Sequence, residues 1–291
     1  MQSMKTIIIA IFLTGITVSG VCQFSPDKEN LSIIVMSYNV RYNTPKDSVN
    51  AWPYRKEKVA SVITGNDVDI AGLQEPWIDQ IRDLKKLLPE YAWIGWSRDN
   101  GKRKGEFTPV FYKKNKFKVL DKGVFWLSDT PDKPGSKGWD VRYPRTVVWV
   151  KFKEKSTGKE LYFFNTHLDG EKARYESVKM IRSRIDDMAG ELPVIITGDY
   201  NARPDSDAYR MMISTGIYNI NISDAFDIAE DKNDEQLTDY WFDGSNTDVK
   251  RIDYIFVSTR IRVLYHEIIN QRMGKYYPSD HLPVKAVLEL K

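Results

Sequence analysis

Short apolar runs rich in β-branched and aromatic residues recur along the chain, and each of them predicts a strand. They lie at residues 33–39, 68–73, 91–96, 107–112, 147–153, 161–167, 194–197, 251–257 and 282–290. Glycine-containing turns separate the third run from the fourth and the fifth from the sixth, which favours two hairpins. The 194–197 run is continuous rather than alternating, so its strand is expected to be covered on both faces.

Apolar residues at helical spacing occur between these strands and predict helices. The helices cover residues 55–64, 77–88, 171–188 and 208–212. Because the strands are joined both by hairpins and by helices, the order of elements favours mixed sheets over a uniform succession of parallel units. The segment from Gly123 to Thr146 is rich in glycine and proline and predicts a long ordered loop of the kind that lines a site.

Polar residues recur at the ends of the predicted strands. They are Asn39, Glu75, His167, Asp199, Asn201, Asp253, Asp280 and His281. Asp199 and Asn201 are two positions apart, so the strand period predicts that their side chains leave the chain on one side. Each residue alone has an ordinary structural alternative, such as an Asx turn or a strand-end histidine without a catalytic role. Their recurrence predicts a polar site at the strand ends.

The composition permits a sizeable buried core and is not that of a disordered chain. Of the 291 residues, 42% are hydrophobic and 12% are aromatic. The 43 basic and 40 acidic residues leave a formal charge of +3, so the overall charge does not predict a polyanion-binding face. The sequence contains no repeat, low-complexity tract or interdomain linker, and residues 33–291 are expected to form one domain.

The first 22 residues have the pattern of a signal peptide. Lys5 precedes the apolar segment 6–18, which is too short and too poorly flanked for a membrane span. Cleavage after Cys22 is favoured over cleavage after Gly20, and lipid anchoring at Cys22 is the weaker alternative because Val21 is bulky for a lipoprotein signal. Residues 23–32 would form a short link. The mature chain is expected to be secreted or periplasmic, without a transmembrane segment or a disulfide, since Cys22 is the only cysteine.

Oxygen ligands outnumber imidazoles among the strand-end residues, and no cysteine is present among them. Such a donor set suits a hard cation, Mg²⁺ or Mn²⁺, better than zinc. The sequence therefore predicts a divalent-metal site if these residues converge.

Six motifs in order, SYNVR, LQEP, NTHLD, GDYNARPDS, RIDYIFVS and SDHLPV, resemble those of the endonuclease/exonuclease/phosphatase superfamily. The resemblance covers the chain from Ile33 onward and is closest to secreted bacterial members, related to secreted nucleases and sphingomyelinases. It implies an α/β (α+β) fold: a four-layered α/β/β/α sandwich of two packed mixed, mainly antiparallel sheets, with the active site at one rim. It also implies the metal ligands: Glu75 would be the main one, with Asn39 nearby and Asp280 completing the set directly or through water.

The same resemblance implies the catalytic residues. Asp199 would orient or deprotonate the attacking water, and Asn201 would hold a phosphate oxygen. His281 would bind the scissile phosphate or shuttle a proton, with Asp253 fixing its tautomer. His167 would stabilise the phosphate charge or the leaving oxygen. These roles agree with phosphoryl transfer, which needs a placed nucleophile and positive charge on the phosphoryl oxygens.

Three further residues are candidates for substrate binding. Arg145 and Trp139 lie in the predicted 123–146 loop, and Arg41 shares one side of its strand with Asn39. Arg145 has a guanidinium suited to paired hydrogen bonds with phosphate, but it could instead cap a strand or pair with Asp140. The chain departs from the secreted bacterial members at Gly170 and at residues 238–244, both in segments expected to face the substrate.

The implied function is that of a secreted, metal-dependent phosphoesterase that hydrolyses phosphodiesters, or phosphomonoesters, with activated water. Three substrate classes stay open: nucleic acid, a phospholipid headgroup such as sphingomyelin, and a phosphorylated sugar or inositol. Exposed aromatic residues would favour a lipid, and the candidates are Trp126, Trp139, Tyr240 and Trp241. An inactive binding protein is the non-enzymatic alternative, although a pure scaffold has no physical need for the full polar set. No stable protein partner is predicted.

Overall fold

The computed structural model describes residues 31–233, 235, 237–246 and 250–291. The predicted signal peptide lies outside the described residues. The first strand begins at Leu31, so it includes the last two residues of the segment that was predicted to be a link. In the part of the chain that the structure describes, no helix has the length and apolar character needed to cross a membrane.

Thirteen strands and five α-helices are formed by the described residues. The strands are β1 (Leu31–Asn39), β2 (Ile70–Gln74), β3 (Tyr91–Ile94), β4 (Val110–Lys113), β5 (Phe117–Trp126), β6 (Thr146–Glu154), β7 (Glu160–His167), β8 (Val194–Asp199), β9 (Ile222–Asp224), β10 (Asp231–Lys232), β11 (Asp253–Ser258), β12 (Ile261–Ile268) and β13 (Val284–Leu290). The helices are α1 (Lys56–Gly65), α2 (Ile78–Leu87), α3 (Glu171–Ala189), α4 (Asp207–Met212) and α5 (Ala225–Ile228). Two 3₁₀ helices, Pro45–Asn50 and Trp52–Tyr54, precede α1.

The strands form two sheets. One has the order β10-β12-β13-β1-β2-β4-β3 and the other the order β5-β6-β7-β8-β11-β9. Most pairs are antiparallel, while β1 and β2, β7 and β8, and β10 and β12 are parallel. The predicted pair of mixed, mainly antiparallel sheets is therefore confirmed.

Three apolar layers hold this sandwich together. Successive residues of a strand point to opposite faces, so β1 directs Ile33 and Val35 into the core between the sheets and Met36 and Tyr38 into a core under α1 and α2. In the same way, β8 directs Ile195 inward and the residues on either side of it towards α3. Both central strands are thus covered on both faces, which explains their continuous apolar sequences.

Four strands, β5, β9, β10 and β12, were not predicted from the sequence. β5 ends at Trp126, so the long loop begins four residues later than Gly123, where the prediction placed its start. Trp126 is buried and donates its indole N–H to the Arg98 carbonyl oxygen at 2.6 Å, so it is a core residue rather than an exposed aromatic. In β12, exposed and buried positions alternate irregularly around a register shift between Val263 and Tyr265, which weakens the period-two signal.

A buried histidine in β12 makes the stability of the fold depend on pH. His266 is 1% exposed, and Phe226 packs edge-on against its ring at 5.3 Å. Burial, followed by the positive charges of Arg251 and Lys232, lowers the pKa of His266 from 6.5 to about 3. Between these two values the unfolded chain binds a proton that the folded chain excludes, so stability falls as the pH falls through this window.

We expect this group alone to destabilise the fold by about 2 kcal/mol at pH 5 relative to pH 7.5, since one pKa unit corresponds to roughly 1.4 kcal/mol. Urea unfolding of the wild type and of His266→Leu at several pH values measures the difference. The variant should lose less stability between pH 7.5 and pH 5 than the wild type does. Parallel pH profiles for the two proteins would contradict the assignment.

Candidate active site

The two sheets bring their polar strand ends to one rim. Asn39 ends β1, and Glu75 follows the parallel strand β2 directly. In the other sheet, His167 pairs with Asp199 across the parallel β7 and β8, and Asp199 pairs with Asp253 across the antiparallel β11. The carboxyl ends of parallel strands meet at the same edge of a sheet as the amino ends of their antiparallel neighbours. The register of the strands therefore places these residues together.

Asn39 joins the two sheets at this rim. Its side-chain N–H₂ group donates to Glu75 Oε1 at 3.1 Å and to Asp199 Oδ2 at 2.9 Å. Its side-chain oxygen accepts from the backbone N–H of Arg41 at 2.9 Å, so it faces the chain rather than the Glu75 carboxylate. The observed contacts are those of a residue that holds two carboxylates in place, and the direct ligand role predicted for Asn39 stays a prediction.

Glu75 is held in a strained backbone conformation. Its φ of +73° lies in the left-handed region, which non-glycine residues rarely adopt and which is concentrated at functional sites. Its second oxygen, Oε2, accepts from the backbone N–H of Tyr42 at 3.0 Å. The carboxylate is therefore fixed by hydrogen bonds to both oxygens.

Asp253 and His281 form a hydrogen-bonded dyad beside Asp199. His281 Nδ1 and Asp253 Oδ2 are 2.8 Å apart, and His281 Nε2 lies 3.9 Å from Asp199 Oδ2. Burial alone would lower the pKa of His281, but the Asp253 carboxylate outweighs it and raises the pKa well above 6.5. His281 is thus positively charged at neutral pH, with Nδ1–H donated to Asp253 and Nε2–H directed towards Asp199.

The second histidine of the rim, His167, is neutral. Burial, together with the positive charges of Arg145 and Arg98, lowers the pKa of His167 well below 6.5, so its ring is neutral. Its Nε2 lies 3.1 Å from the Asn201 amide nitrogen and 3.5 Å from Asp199 Oδ2. A neutral imidazole that accepts at Nε2 carries its proton on Nδ1.

Asn201 reaches the rim by a turn and not by strand alternation. β8 ends at Asp199, whose Oδ1 accepts the backbone N–H of Asn201 at 2.9 Å, and Asn201 has a φ of +47°. The predicted strand period over these two residues was therefore wrong, because an Asx turn replaces the strand there. The turn still directs the Asn201 amide to His167 and to the Leu168 carbonyl oxygen at 3.0 Å.

Asp280 and Arg41 complete the rim on the side of β13. Asp280 is 5% exposed, and its Oδ2 lies 3.4 Å from Arg41 Nη1. The same guanidinium donates to both carboxylate oxygens of Asp47 at 3.2 Å. Because Asp47 and Asp280 engage all three nitrogens of the Arg41 guanidinium, this predicted substrate-binding residue holds the Asp280 carboxylate in the present arrangement.

The rim carries more negative charge than its own cations balance. Its buried or partly buried carboxylates are Glu75, Asp199, Asp253 and Asp280, and burial followed by Asp253 raises the pKa of Asp199. Burial, with a further contribution from Glu75, also raises the pKa of Asp280. Asp253 Oδ1 is buried and has no hydrogen-bond partner among the described residues. This oxygen-rich, electron-rich set fits a hard divalent cation.

Two groups of rim residues are candidate positions for such a cation. Asp199, Asp253 and His281 can each place one ligand atom within 4.8 Å of the others. Asp253 and His281 already satisfy each other through a charged hydrogen bond, however, and a cation there would have to displace the imidazolium proton. Glu75 and Asp280 have no imidazole partner of this kind in the described part of the chain, so a cation on their side of the rim would displace no imidazolium proton, although it would share Asp280 with Arg41.

A cleft of about 860 Å³ opens beside the rim. Its lining combines cationic, acidic, aromatic and rim residues: Arg98, Arg103, Lys104, Arg142 and Arg145; Asp99, Glu106 and Asp169; Tyr42, Trp77 and Tyr143; and Glu75, His167 and Asn201. Arg145 Nη2 donates to Asp169 Oδ2 at 3.0 Å, while its Nε and Nη1 are buried without a partner among the described residues. Arg145 is therefore placed where the sequence predicted a substrate-binding residue.

Two expectations for the long loop need correction. Asp140 does not pair with Arg145, because its carboxylate accepts the first backbone N–H groups of α3, those of Glu171, Lys172 and Ala173. Trp139 packs against the core beneath α3 and is not among the residues that line the cleft. The aromatic residue that this loop presents to the cleft is Tyr143, which is 43% exposed.

Sequence reasoning missed an ion pair on the floor of the cleft. Arg98 and Glu106 bond at 2.5 Å, and Glu106 Oε2 lies 4.0 Å from His167 Nδ1. Burial, followed by the Glu75 charge, raises the pKa of Glu106. Both residues flank the basic turn between two predicted strands, where no periodicity indicates burial, so only the charged turn itself was a signal.

Comparisons with known proteins agree with this geometry. The sequence model described as "Endonuclease/Exonuclease/phosphatase family" matches residues 36–281. A solved endonuclease/exonuclease/phosphatase structure from Bacteroides vulgatus is 40% identical, with a TM-score of 0.85 and coverage of 90% of this chain and 100% of that chain. A mannosyl-6-phosphatase of Bacteroides thetaiotaomicron is 37% identical, with a TM-score of 0.83 and coverage of 88% and 99%.

A more distant sequence relative is the exoribonuclease subunit Ccr4 of the CCR4-Not complex in Saccharomyces cerevisiae. It is 24% identical over 340 residues, which cover 90% of this chain and 39% of the yeast protein. The chain thus spans well under half of that relative.

Proposed function

Because the chain belongs to the endonuclease/exonuclease/phosphatase family, whose members are hydrolases, we propose that it hydrolyses the phosphate ester of a small carbohydrate. The proposal adds a divalent cation, Mg²⁺ or Mn²⁺, at the Glu75 and Asp280 side of the rim. The sequence favoured a phosphodiester substrate, whereas the cleft beside the rim favours a small phosphomonoester.

The mixed charge of the cleft is the observation that carries this proposal. Asp99, Glu106 and Asp169 line the cleft together with its cations. A nucleic-acid strand presents a phosphate at every step, and it would have to break the Glu106–Arg98 and Asp169–Arg145 pairs to reach several of these cations at once. A sugar with a single phosphate does not need to break both pairs, and its hydroxyl groups can donate to the same carboxylates. The relative named mannosyl-6-phosphatase supports the same substrate class.

Each rim residue has a role that follows from its position. Asp199 is close to both histidines and accepts the proton of the attacking water. The His281 imidazolium donates from Nε2 to a phosphoryl oxygen, and Asp253 holds its ring. The Asn201 amide donates to His167 Nε2 and to the Leu168 carbonyl oxygen, so it would reach a phosphoryl oxygen only by releasing one of these two bonds. A bound cation would supply further positive charge to the phosphoryl oxygens.

A ribonuclease is the second candidate function. Five cationic side chains line the cleft, and the yeast relative is named an exoribonuclease subunit. Salt separates the two candidates: hydrolysis of RNA should weaken steeply as salt rises, because several phosphates release counterions on binding. Hydrolysis of a sugar monophosphate has one phosphate contact and should respond weakly.

A substrate panel tests the proposed function. The purified mature chain is incubated with mannose 6-phosphate, glycerol 3-phosphate, bis(p-nitrophenyl) phosphate, single-stranded RNA and sphingomyelin vesicles, and released products are measured. We expect phosphate release from mannose 6-phosphate, its loss with EDTA and its recovery with Mg²⁺ or Mn²⁺. Activity confined to the diesters would overturn the proposal in favour of a phosphodiesterase.

We also propose that the protein is exported, on the basis of the signal-like pattern in residues 1–22. Expression of the full chain in a Gram-negative host, followed by fractionation and N-terminal sequencing, tests this. A periplasmic or secreted protein that begins at Gln23 is expected, while a lipid-modified Cys22 in the membrane fraction would indicate the anchored alternative.

Arg145 provides a further prediction. Its two unpartnered N–H donors and its place in the cleft suit it to bind an anionic group of the substrate. Since charge-assisted hydrogen bonds contribute about 1.5–3 kcal/mol, Arg145→Ala should lower kcat/KM for mannose 6-phosphate roughly 10- to 100-fold. Its effect on bis(p-nitrophenyl) phosphate should be much smaller, because that substrate makes few contacts in the cleft.

Arg260→Ala is the matched control, because Arg260 is an exposed arginine in the turn between β11 and β12. This variant should match the wild type on both substrates. Equal losses on both substrates in Arg145→Ala would place Arg145 in the common chemistry, and no loss on either would make it structural.

A further inference from the structure

Trp241 is held in a conformation that does not suit a tryptophan. Its φ is +61°, in the left-handed region where a Cβ atom crowds the backbone and which glycine adopts freely. Its side chain is nevertheless 44% exposed, so core packing does not account for this strain. Among the described residues, six other non-glycine residues have positive φ: Arg41, Glu75 and Asn201 lie at the rim, whereas Ser48, Asp67 and Trp139 are not among the rim residues. Strain at the exposed Trp241 beside three strained rim residues points to function.

The surrounding contacts fix Trp241 next to the rim. The backbone N–H groups of Tyr240 and Trp241 donate to the Asp280 carbonyl oxygen at 2.9 and 2.8 Å. The Arg41 guanidinium lies 5.6 Å from the indole ring and 4.6 Å from the ring of Tyr42, which itself lines the cleft. Tyr42, Arg41 and Trp241 therefore form one wall from the cleft to Asp280.

The exposed indole of this wall is a flat apolar surface, and the guanidinium beside it is already paired and does not form an anion site. Asp47 and Asp280 already engage the three nitrogens of Arg41. Phe242 covers one part of the indole, with the ring centroids 5.9 Å apart, and the exposed part remains open to a ligand. The chemical group that fits such a surface is the flat face of a ring carried by the substrate.

We propose that Trp241 is a specificity-determining residue that contacts the sugar ring of the substrate, an inference that rests on the proposed function. The rim holds the phosphate, and the indole holds the ring to which the phosphate is attached. The strained backbone at residue 241 is retained because it presents the indole beside Asp280.

The test compares Trp241→Ala, Trp241→Gly and Trp241→Phe on mannose 6-phosphate and on glycerol 3-phosphate, which has no ring. The alanine and glycine variants remove the indole surface that the sugar ring covers, so they should lose roughly 10-fold in kcat/KM on the sugar phosphate, which corresponds to about 1.4 kcal/mol. Their kcat/KM on glycerol 3-phosphate should match the wild type, and Trp241→Phe should recover most of the loss.

The same variants separate the effect of losing the indole side chain from the effect of relieving the backbone strain at residue 241. Trp241→Ala keeps a Cβ atom at positive φ and Trp241→Gly does not, so the glycine variant should melt roughly 2–4 °C higher while the two share one kinetic defect. Trp139→Ala is the matched control, because Trp139 also has a positive φ, +53°, but packs against the core. It should lower the melting temperature without a change in the preference between the two esters.

Several outcomes would overturn the inference. Equal losses of kcat/KM on mannose 6-phosphate and glycerol 3-phosphate would make Trp241 structural, and unchanged kinetics on both would exclude any contact. AMP serves as a third substrate. A loss on AMP without one on mannose 6-phosphate would assign the indole surface to a nucleobase. Calorimetric binding of mannose 6-phosphate to EDTA-treated protein needs no turnover, and its Kd should weaken roughly 10-fold in Trp241→Ala. Wild-type protein that binds this ester in a Trp241-dependent manner without hydrolysing it would overturn the proposed function alone. Wild-type protein that neither binds nor hydrolyses it would overturn both.

Discussion

Glu75→Gln is expected to abolish metal-dependent turnover while leaving the fold intact. Glu75 accepts from the Asn39 amide and from the Tyr42 backbone N–H, so glutamine keeps the size of the side chain and one of the two bonds but loses the charge. A metal ion contributes several kcal/mol to the transition state, so its loss should lower kcat/KM by roughly 10³-fold. Steady-state assays with mannose 6-phosphate over a range of Mn²⁺ concentrations measure this.

Thermal stability gives a readout of the same residue without turnover. Cation binding should raise the melting temperature of the wild type as Mn²⁺ is added, because the ion binds the folded chain only. Glu75→Gln should lose most of this increase, because it removes the charge of a carboxylate ligand. Glu57→Gln, at an exposed carboxylate in the first turn of α1, is the control and should respond as the wild type does. An Mn²⁺ response in Glu75→Gln equal to that of the wild type would exclude Glu75 as a ligand.

The strands that carry the site could be predicted from sequence because they are buried on both faces. β1, β2 and β8 read as short apolar runs, and each run ends at a polar residue of the rim. The family resemblance then supplied the sandwich. The edge strand β5 was not predicted, because its middle residues are exposed and polar and its sequence has neither a continuous nor an alternating apolar pattern.

The rim residues were predictable as a set, but their contacts were not. Asn201 was expected to follow the strand period, and a left-handed turn brings it to the site instead. Whether an amide faces a carboxylate or a backbone N–H, as at Asn39, depends on side chains from three strands at once. Sequence spacing along one strand holds no information about that choice.

The walls of the cleft were the least predictable part. Trp139 and Tyr143 lie four residues apart in one turn-rich loop, and the sequence alone does not show which of the two side chains packs into the core. The structure places Trp139 against the core and Tyr143 in the cleft. Arg98 and Glu106 pair across the turn between them, and Glu106 lies 4.0 Å from His167, a residue 61 positions away in the chain. Such placements depend on tertiary packing, which local sequence patterns do not encode.

The second large loss of turnover is expected when His281 is replaced. Its Nε2–H faces the rim, and Asp253 keeps the ring charged and oriented. His281→Ala should lower kcat roughly 10²- to 10⁴-fold, the range for loss of a positioned proton donor or of an oxyanion-stabilising group. Glu75 and Asp280 do not bond to His281 in this structure, so the Mn²⁺-induced rise in melting temperature should persist in this variant.

A double-mutant cycle shows whether Asp253 acts through His281. Asp253→Asn should lower kcat, because an amide cannot hold the imidazolium as a carboxylate does. The double variant Asp253→Asn, His281→Ala should be no slower than His281→Ala alone, since residues that act as one unit are strongly non-additive. His266→Leu, which removes a histidine far from the rim in β12, is the control and should retain wild-type kcat above pH 7. Additive losses in the double variant would give Asp253 a role of its own at the rim, and a loss below tenfold in His281→Ala would exclude the imidazolium from the chemical step.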